Sequence, residues 1–471
     1  MERQDVNDEV VAVLGAGPAG LMAALRLAEQ GQTCVVFEAA DQVGGMAGSF
    51  EVAGVRVDFG SHRLHPATPP ALLDRIKAVM GDDLQLRPRR GRLRLRDRWV
   101  GFPFRPTDLA RTMPPQFAAR VAIDTATGPL RTIGRRPPAS FAEAIRHRLG
   151  PTVAREFYDP YARKLYGAAP DELSVELARR RVSARSPVAI VQSMLTPTPP
   201  ERRGFWYPRR GYGQISERLA EEATAAGVDI RLGAPVEKVD VSADSVAVTV
   251  GTDGEERVMS AGHVISTIPL PTLASRITPE PPVEVMDALG RLRTRAMVLV
   301  YLVVDAAQYT PFDAHYLAGL DTAVARLSEP KNYRTNPDDP ADRTVLCAEI
   351  ACWPNGDDPI WTATDADLGE LVADDLVRAG LPRPAVVAVE SRRLPSVYPV
   401  YDIRAEPARA VVDTWIRSPS RVRITGRQGL GVPDNLHHVM EMGQQAASVS
   451  PGNATAWATA LDVFASNVVE D

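Results

Sequence analysis

The sequence predicts an α/β fold, and three observations near its start lead to that prediction. Val10–Leu14 is a short apolar run next to a glycine, as expected for a buried parallel strand. Glycines in the spacing G-x-G-x-x-G follow, and the stretch from Ala19 to Gln30 predicts a helix that ends at Gly31. The apolar, β-branched run Thr33–Phe37 predicts a second strand. A strand, a glycine turn, a helix and a strand in this order open a doubly wound sheet.

The glycine turn formed by Gly15, Gly17 and Gly20 predicts a dinucleotide site. The first glycine permits a tight turn, the second lets the backbone approach a pyrophosphate, and the third lets the helix pack closely. The N-terminus of the helix then favours the negative charge of the pyrophosphate. Glu38 stands where a carboxylate grips a ribose hydroxyl, which disfavours the 2′-phosphate of NADP. FAD and NAD both stay open on these residues alone.

Length, composition and charge narrow the class of protein. A chain of 471 residues is long enough for two or more domains, and 45% hydrophobic with 24% charged residues is ordinary for a soluble protein. A net charge of -5 gives no electrostatic indication of nucleic-acid binding. Three scattered cysteines predict neither disulfides nor a metal site, and no apolar run is long enough for a transmembrane segment. We therefore expect a cytoplasmic protein that acts on a small molecule, with its oligomeric state open.

A second pair of glycines extends the nucleotide motif. Gly44 and Gly45 follow Glu38 closely and predict another loop against the dinucleotide. These residues together with the glycine turn resemble the flavin-containing amine oxidase and protoporphyrinogen oxidase superfamily, in which the double glycine contacts FAD. The resemblance implies that FAD is the cofactor.

The C-terminal block also resembles this superfamily. A strand that reaches Gly426, a glycine loop and a helix that begins near Asp434 or Asn435 are predicted there. In the superfamily, the N-terminus of this helix faces the flavin. Gly426-Arg427 is typical of the UDP-galactopyranose-mutase-like branch, and an arginine beside the flavin N1–O2 edge would stabilise the anionic reduced form. No cysteine lies nearby in the sequence, so FAD is expected to be held non-covalently.

The segment Gly60-Ser61-His62 resembles a stretch that lies along the isoalloxazine ring in UDP-galactopyranose mutase and its relatives. The resemblance places His62 near the flavin and Arg63 near an anionic group of the substrate. The alternative is a turn with solvated side chains. The catalytic candidates are His62, Arg63 and Arg427. Val236 stands where relatives use a backbone group beside the adenine. The expected cofactor-binding residues are Gly15, Gly17, Pro18, Ala19, Gly20, Glu38, Ala39, Gly44, Gly45, Met46, Ser61, His62, Arg63, Val236, Gly426, Arg427, Asp434, Asn435 and Leu436.

Three further segments supply candidates for substrate binding. Tyr158–Arg181 resembles a helical segment that covers the substrate cavity in mutase-like oxidoreductases, although core or surface roles are equally open for its side chains. The segment around Tyr207 resembles a glycine loop close to substrate or flavin, and two tyrosines flank Pro399 farther along the chain. The substrate-binding candidates are Arg163, Lys164, Tyr166, Arg209, Arg210, Tyr398 and Tyr401.

The remaining patterns predict a second domain. The apolar runs Met297–Val304, Val345–Ile350 and Val386–Leu394 predict a mixed or antiparallel sheet. Alternation in Gly91–Trp99 predicts a hairpin with its arginines on one face and Leu93, Leu95 and Trp99 on the other; the charged face is either solvated or steers anions. We expect a Rossmann-type FAD-binding domain and an α+β substrate domain with an inserted helical segment. The FAD-binding domain is predicted at 1–68, 204–275 and 420–471, and the substrate domain at 69–203 and 276–419.

The predicted function is that of an FAD-dependent oxidoreductase that removes a hydride from a small substrate through flavin N5. The alternative is a non-redox enzyme, similar to UDP-galactopyranose mutase, that uses reduced flavin N5 as a nucleophile. Arginines near the expected site favour an anionic or sugar-like substrate. Porphyrinogens, polyenes and amines stay open, as does the electron acceptor.

Overall fold

The structure is a computed structural model that describes residues 10–102, 108, 111–128, 136–181, 204–252, 254–418, 420–450 and 452–469. Residues 182–203, the end of one predicted substrate-domain segment, lie outside the described residues. The strands are β1 (Val10–Leu14), β2 (Thr33–Phe37), β3 (Ser49–Val52), β4 (Val55–Asp58), β5 (Leu84–Pro88), β6 (Gly91–Leu95), β7 (Arg98–Phe102), β8 (Gly204–Pro208), β9 (Asp229–Arg231), β10 (Val236–Val241), β11 (Val246–Thr252), β12 (Glu255–Ala261), β13 (His263–Ser266), β14 (Ile277–Thr278), β15 (Thr294–Val304), β16 (Ala314–Leu317), β17 (Arg326–Ser328), β18 (Thr344–Cys352), β19 (Val386–Pro399) and β20 (Val422–Ile424).

The α-helices of five or more residues are α1 (Pro18–Glu29), α2 (Pro70–Met80), α3 (Pro115–Ala126), α4 (Phe141–Leu149), α5 (Asp159–Tyr166), α6 (Val175–Arg181), α7 (Gln214–Ala225), α8 (Leu270–Ala274), α9 (Val283–Arg291), α10 (Asp365–Arg378), α11 (Glu406–Arg417), α12 (Gly426–Leu430), α13 (Leu436–Ser448) and α14 (Ala454–Ala465). Shorter helical segments are Gly45–Ala47, Gly81–Asp83, Pro151–Val153, Pro330–Tyr333, Pro359–Thr362 and Ile403–Ala405, and Ala154–Tyr158 is a π-helical turn. Among the described helices, none is both long enough and apolar enough to cross a bilayer.

A five-stranded parallel sheet in the order β20-β13-β1-β2-β9 confirms the predicted α/β fold. β1 and β2 have the predicted bounds, and α1 begins and ends one residue earlier than predicted. α1 packs against α13 and α7 beside this sheet. Neighbouring strands thus come from distant parts of the chain, and the carboxyl ends of β1, β2, β13 and β20 share one edge.

The second large sheet has seven strands in the order β19-β15-β18-β17-β16-β6-β7. Its long strand β15 pairs antiparallel with both β18 and β19, and β16 pairs parallel with β6. The predicted mixed sheet is therefore confirmed. Residues 91–102 add the last two strands, so the hairpin from the first half of the chain completes a sheet from the second half.

The hairpin β6–β7 is confirmed, but the predicted division of its faces is wrong. Arg94 and Trp99 are directly opposite each other in the antiparallel register, so their side chains share a face. The reason is that the chain reverses at Arg96 and Asp97, so the alternation of faces starts anew in β7. The prediction had continued one alternation through the turn. Arg94 is also buried rather than solvated, and it forms an ion pair with Asp321 at 2.6 Å.

The hydrophobic core does not break at the predicted domain limits. Leu72 and Ile76 of α2 and Leu84 of β5 belong to the same buried cluster as β1 and α1. β5 also pairs with β8, which lies on the other side of the predicted limit at residue 204. The limits of the two domains therefore stay a proposal.

A buried carboxylate fastens the end of β4 to the loop before α7. Asp58 accepts hydrogen bonds from Ser49 Oγ at 2.6 Å, the Tyr212 N–H at 2.9 Å and Tyr207 Oη at 2.5 Å. The ring of Tyr212 stacks on His62, with ring centroids 5.2 Å apart. Asp58 therefore fixes the position of Tyr212, whose ring packs against His62.

Asp58→Ala is expected to lower the free energy of unfolding by about 3 kcal/mol, because three buried donors would lose their acceptor. Urea unfolding followed by circular dichroism measures this loss. The matched control is the exposed Asp244→Ala, for which we expect a change within about 0.5 kcal/mol. Equal stability of the two variants would contradict the assigned role of Asp58.

Candidate functional site

A cavity of ≈ 1140 Å³ opens at the carboxyl edge of the parallel sheet and extends to the seven-stranded sheet. Its volume exceeds the range of about 300–1,000 Å³ that is usual for a ligand pocket, so a cofactor and a second molecule can occupy it together. Of the residues predicted to bind cofactor or substrate, those on its wall are Gly15, Gly17, Pro18, Ala19, Glu38, Ala39, Gly45, Met46, Ser61, His62, Arg63, Tyr166, Val236, Tyr398, Gly426, Arg427, Asp434, Asn435 and Leu436.

The glycine turn between β1 and α1 leaves room beside its backbone. Gly17 lines the cavity with φ -73°, and a Cβ placed on it would meet no described atom within 4 Å. A Cβ on Gly20 would instead lie 1.9 Å from the Gly15 carbonyl oxygen. Gly17 therefore borders open space, whereas Gly20 lets α1 pack onto the turn. This arrangement fits a phosphate group at the N-terminus of α1.

Glu38 and the double glycine complete this end of the cavity. The Glu38 carboxylate accepts hydrogen bonds from the N–H groups of Ala16 at 2.7 Å and Ala40 at 3.0 Å, so it is fixed on the cavity wall. The Gly44 N–H donates to the Ala16 carbonyl oxygen at 2.9 Å and joins the second glycine loop to the first. Gly44 has φ +109°, which favours glycine. Gly44 and Gly20 do not themselves line the cavity.

The C-terminal unit supplies the opposite wall, with one helix that was not predicted. Gly426–Leu430 forms the short helix α12 inside the expected glycine loop, and Gly429 lets it approach Ser266 and Ile424 closely. Arg427 donates from Nη2 to the Val397 carbonyl oxygen at 2.7 Å and from Nη1 to that of Asp434 at 3.1 Å. No described carboxylate forms an ion pair with Arg427, and burial lowers its pKa.

Asp434 stands just before the cap of α13; the residue lines the cavity, and its side chain is fully buried. Within the described part of the chain, neither of its oxygens accepts a hydrogen bond, although His438 Nδ1 lies 3.4 Å from one of them. Buried acceptors are normally satisfied. A ligand that carries hydroxyl groups would supply the missing donors, and the sugar-alcohol chain of a flavin nucleotide is such a group.

The middle of the cavity is formed by Ser61–Arg63 and by residues that the sequence did not reveal. Glu349 accepts a hydrogen bond from the Ser61 N–H at 2.8 Å and forms two bonds of 2.8 Å with Arg326. Arg63 forms an ion pair with Asp313 at 3.1 Å and donates to the hydroxyl oxygens of two tyrosines, Tyr316 and Tyr333.

No motif marks Glu349, Arg326 or Asp313. The register of the seven-stranded sheet pairs Arg326 with Glu349, which bonds to Ser61, and Asp313 directly precedes β16 and pairs with Arg63. The sequence signal is a single charged residue in an otherwise apolar strand: Glu349 lies within the predicted run Val345–Ile350. A charge in a buried strand needs a partner, which could have identified this glutamate.

His62 lines the cavity, and its ring stacks on Tyr212, which also lines it. Burial, together with the positive charges of Arg326 and Arg427, lowers the pKa of His62 to about 3. The imidazole is therefore neutral at neutral pH, and its Nδ1 is buried with no hydrogen-bond partner among the described residues. A neutral ring at this place adds no further positive charge beside Arg326 and Arg427.

Five predicted substrate-binding residues lie away from the cavity wall. Lys164 Nζ donates to the carbonyl oxygens of Leu317 at 2.7 Å and Val324 at 2.9 Å, and burial lowers its pKa to about 7. Arg209 forms an ion pair with Asp83 at 2.7 Å. The others are Arg163 and Arg210, which are exposed, and Tyr401, which packs with the helical segment.

These positions reduce the support for an anionic substrate. Two of the three arginines that favoured one, Arg209 and Arg210, are not on the wall, and the charge of Arg63 is matched by Asp313. Tyr166 and Tyr398 do line the cavity, with ring centroids 6.1 Å apart. The candidate site therefore keeps the cofactor residues and these two tyrosines.

A parallel sheet whose strand ends open into a cavity, with a glycine turn at the start of the first helix, defines a class of nucleotide-cofactor proteins. The chain belongs to the family described as flavin containing amine oxidoreductase, whose profile matches residues 18–421. The predicted superfamily is confirmed. The chain spans little more than half the length of the curated relatives that it matches.

Three known proteins illustrate the similarity. A phytoene dehydrogenase from Streptomyces griseus is 28% identical over 324 residues, which cover 61% of this chain and 57% of that protein. The crystal structure of a reduced UDP-galactopyranose mutase has a TM-score of 0.78 at 20% identity and covers 97% of this chain and 99% of that one. A putative protoporphyrinogen oxidase from Exiguobacterium sp. 255-15 has a TM-score of 0.70 at 19% identity, with 97% and 100% covered. At these identities the two structures show the shared fold.

Proposed function

We propose that the protein is an FAD-dependent oxidoreductase that holds FAD non-covalently and removes a hydride from a small substrate. The main support is one continuous cavity that joins the glycine cradle at Gly17 to His62 and Arg427. When bound, the cofactor would supply a two-electron hydride acceptor that dioxygen or another acceptor would reoxidise.

Each part of the cavity has a separate task in this proposal. The open backbone at Gly17 and the N-terminus of α1 hold the pyrophosphate, and Glu38 grips a ribose hydroxyl. The unsatisfied oxygens of Asp434 accept hydrogen bonds from further hydroxyls of the cofactor. His62 stays neutral and excludes water from the middle of the cavity, where Arg63 is fixed by its ion pair.

The cysteines support non-covalent binding. Cys34, Cys347 and Cys352 are buried, and the described wall of the cavity contains no cysteine. Burial also raises the pKa of the Cys34 thiol to about 12, so little of the reactive thiolate exists at neutral pH. A thioether link to the cofactor therefore has no nucleophile in place.

Anaerobic spectroscopy of the purified protein tests the proposal. FAD should appear in the absorption spectrum, leave the protein on acid precipitation, and bleach when substrate is added without oxygen. The alternative function, non-redox mutase-like chemistry, predicts turnover only after reduction with dithionite. A folded protein that cannot be loaded with FAD would contradict both functions.

Replacement of Arg427 tests its charge directly. Arg427→Ala is expected to make the flavin reduction potential more negative by about 20–60 mV, because a lost charge interaction of about 1–3 kcal/mol no longer stabilises the reduced anion. Arg427→Lys keeps the charge and should keep most of the potential. Xanthine oxidase-coupled dye titration measures both variants. An unchanged potential in Arg427→Ala would remove this arginine from its role.

A further inference from the structure

The cavity continues beyond the middle region into a part that we call the apolar arm. The side chains that define the apolar arm are Phe117, Val121, Val153, Phe157, Tyr161 and Leu165. They come from α3, the short helix Pro151–Val153, the π-helical turn and α5, and the hairpin β6–β7 contributes Leu93 and Leu95 to the same wall. Every one of these residues is apolar or aromatic.

Two polar side chains on the wall of this arm, Thr125 and Glu156, already form hydrogen bonds with other groups of the protein. Thr125 donates from its hydroxyl to the Val121 carbonyl oxygen at 2.8 Å. Glu156 accepts two hydrogen bonds from Arg96, and these bonds hold the pKa of Glu156 below its usual range. The hydrogen-bonding groups of both side chains are largely engaged within the protein. A sugar placed here would bury more hydroxyl groups than this wall can pair, which is costly.

The π-helical turn Ala154–Tyr158 is a second, independent observation. Such turns are rare and occur preferentially at functional sites, because the wider turn changes the direction of the side chains. Here Phe157 lies on the cavity wall, and its ring stacks on Tyr161 with centroids 5.5 Å apart. The irregular turn thus coincides with the aromatic lining of the apolar arm.

Two aromatic contacts join the apolar arm to the middle of the cavity. The ring of Phe102 lies 5.1 Å from that of Tyr316, whose hydroxyl accepts a hydrogen bond from Arg63. On the other side Leu165 precedes Tyr166, which packs against Tyr398. Because residues of both regions line one cavity, a molecule in the arm would extend into the proposed reaction region.

We propose that the apolar arm binds a hydrocarbon portion of the substrate, so that the substrate is a lipophilic molecule with its reacting end near His62 and Tyr398. This inference rests on the proposed function, because it assigns the substrate class of the same site. It selects hydrocarbon-bearing molecules over nucleotide sugars. The physical reason is that the arm offers apolar surface to be removed from water, with its Thr125 and Glu156 groups already paired.

Binding of straight-chain carboxylates by the wild-type protein tests the proposal. Butanoate, hexanoate, octanoate and decanoate are titrated by calorimetry into the flavin-loaded protein. Affinity should rise roughly fourfold for each added methylene group, the factor that corresponds to about 0.8 kcal/mol per buried CH₂. Equal affinity for all four acids would overturn the proposal.

A matched pair of variants on α3 places the binding in the arm. Val121→Trp fills the arm and should remove the gain in affinity from hexanoate to decanoate. Ile123 lies on the same helix but is 60% exposed, so Ile123→Trp should behave as wild type. A gain that survives in Val121→Trp would contradict the assignment. The wild-type series decides the question even if Val121→Trp fails to fold.

The failure of this inference can be told apart from failure of the proposed function. Calorimetry detects the acids whether or not the protein retains flavin, and flavin content is measured on the same sample. A folded protein that cannot be loaded with FAD contradicts both functions above and leaves the chain-length series to decide on the apolar arm. A yellow protein whose affinity ignores chain length contradicts the apolar arm alone.

Discussion

Gly17→Val is expected to fold normally and to lose its flavin. The backbone at Gly17 has φ -73° and ψ 174°, which a valine adopts without strain, and its Cβ would meet no described atom. The same open space is the proposed place of the pyrophosphate. An isopropyl group would occupy it and keep the ligand away from the N–H groups of α1, so the affinity for FAD should fall at least about a hundredfold, which is roughly 2.7 kcal/mol.

Gly290→Val is the matched control for this substitution. Gly290 is exposed on α9, and its Cβ would also meet no described atom. Circular dichroism and thermal unfolding should show both variants folded, and the ratio of flavin to protein absorbance should fall only in Gly17→Val. If Gly17→Val bound FAD as tightly as the wild type, the cradle at the start of α1 would not hold the cofactor.

Glu349→Ala is expected to lower the free energy of unfolding by roughly 3–5 kcal/mol. The carboxylate is 4% exposed and makes two hydrogen bonds of 2.8 Å with Arg326, so its removal leaves a guanidinium group partly buried without a counter-charge. The Ser61 N–H loses its acceptor as well. Urea unfolding measures the loss, and the cavity wall next to His62 should loosen with it.

The double variant Glu349→Leu/Arg326→Met separates the effect of the ion pair from the effect of the hydrogen bond to Ser61. Replacing both partners by apolar residues removes the unpaired charge, and we expect it to recover most of the stability lost in Glu349→Ala. Recovery would assign the destabilisation to the isolated charge. If the double variant were as unstable as Glu349→Ala, then the bond to Ser61 and not the ion pair would dominate.

Local signals account for what could be predicted. The start of the chain was predicted to within a residue because the glycine turn, the β-branched run and Gly31 act on their immediate neighbours. The three apolar runs of the seven-stranded sheet were predicted for the same reason. The face of Trp99 was not, because it depends on where the hairpin turns. The substrate candidate Lys164 lies away from the described cavity wall: its pattern gave the right helix but could not show that carbonyl oxygens bind its amino group.

The sequence by itself determined the class of fold, the flavin family and the two glycine loops, because each depends on residues close together in the chain. Only the tertiary structure decided that Glu349, 288 positions from Ser61, fixes the middle of the cavity, and that α3 and the π-helical turn give it an apolar arm. The physical reason is that contacts between distant segments are set by sheet register and helix packing, which no single stretch of sequence encodes.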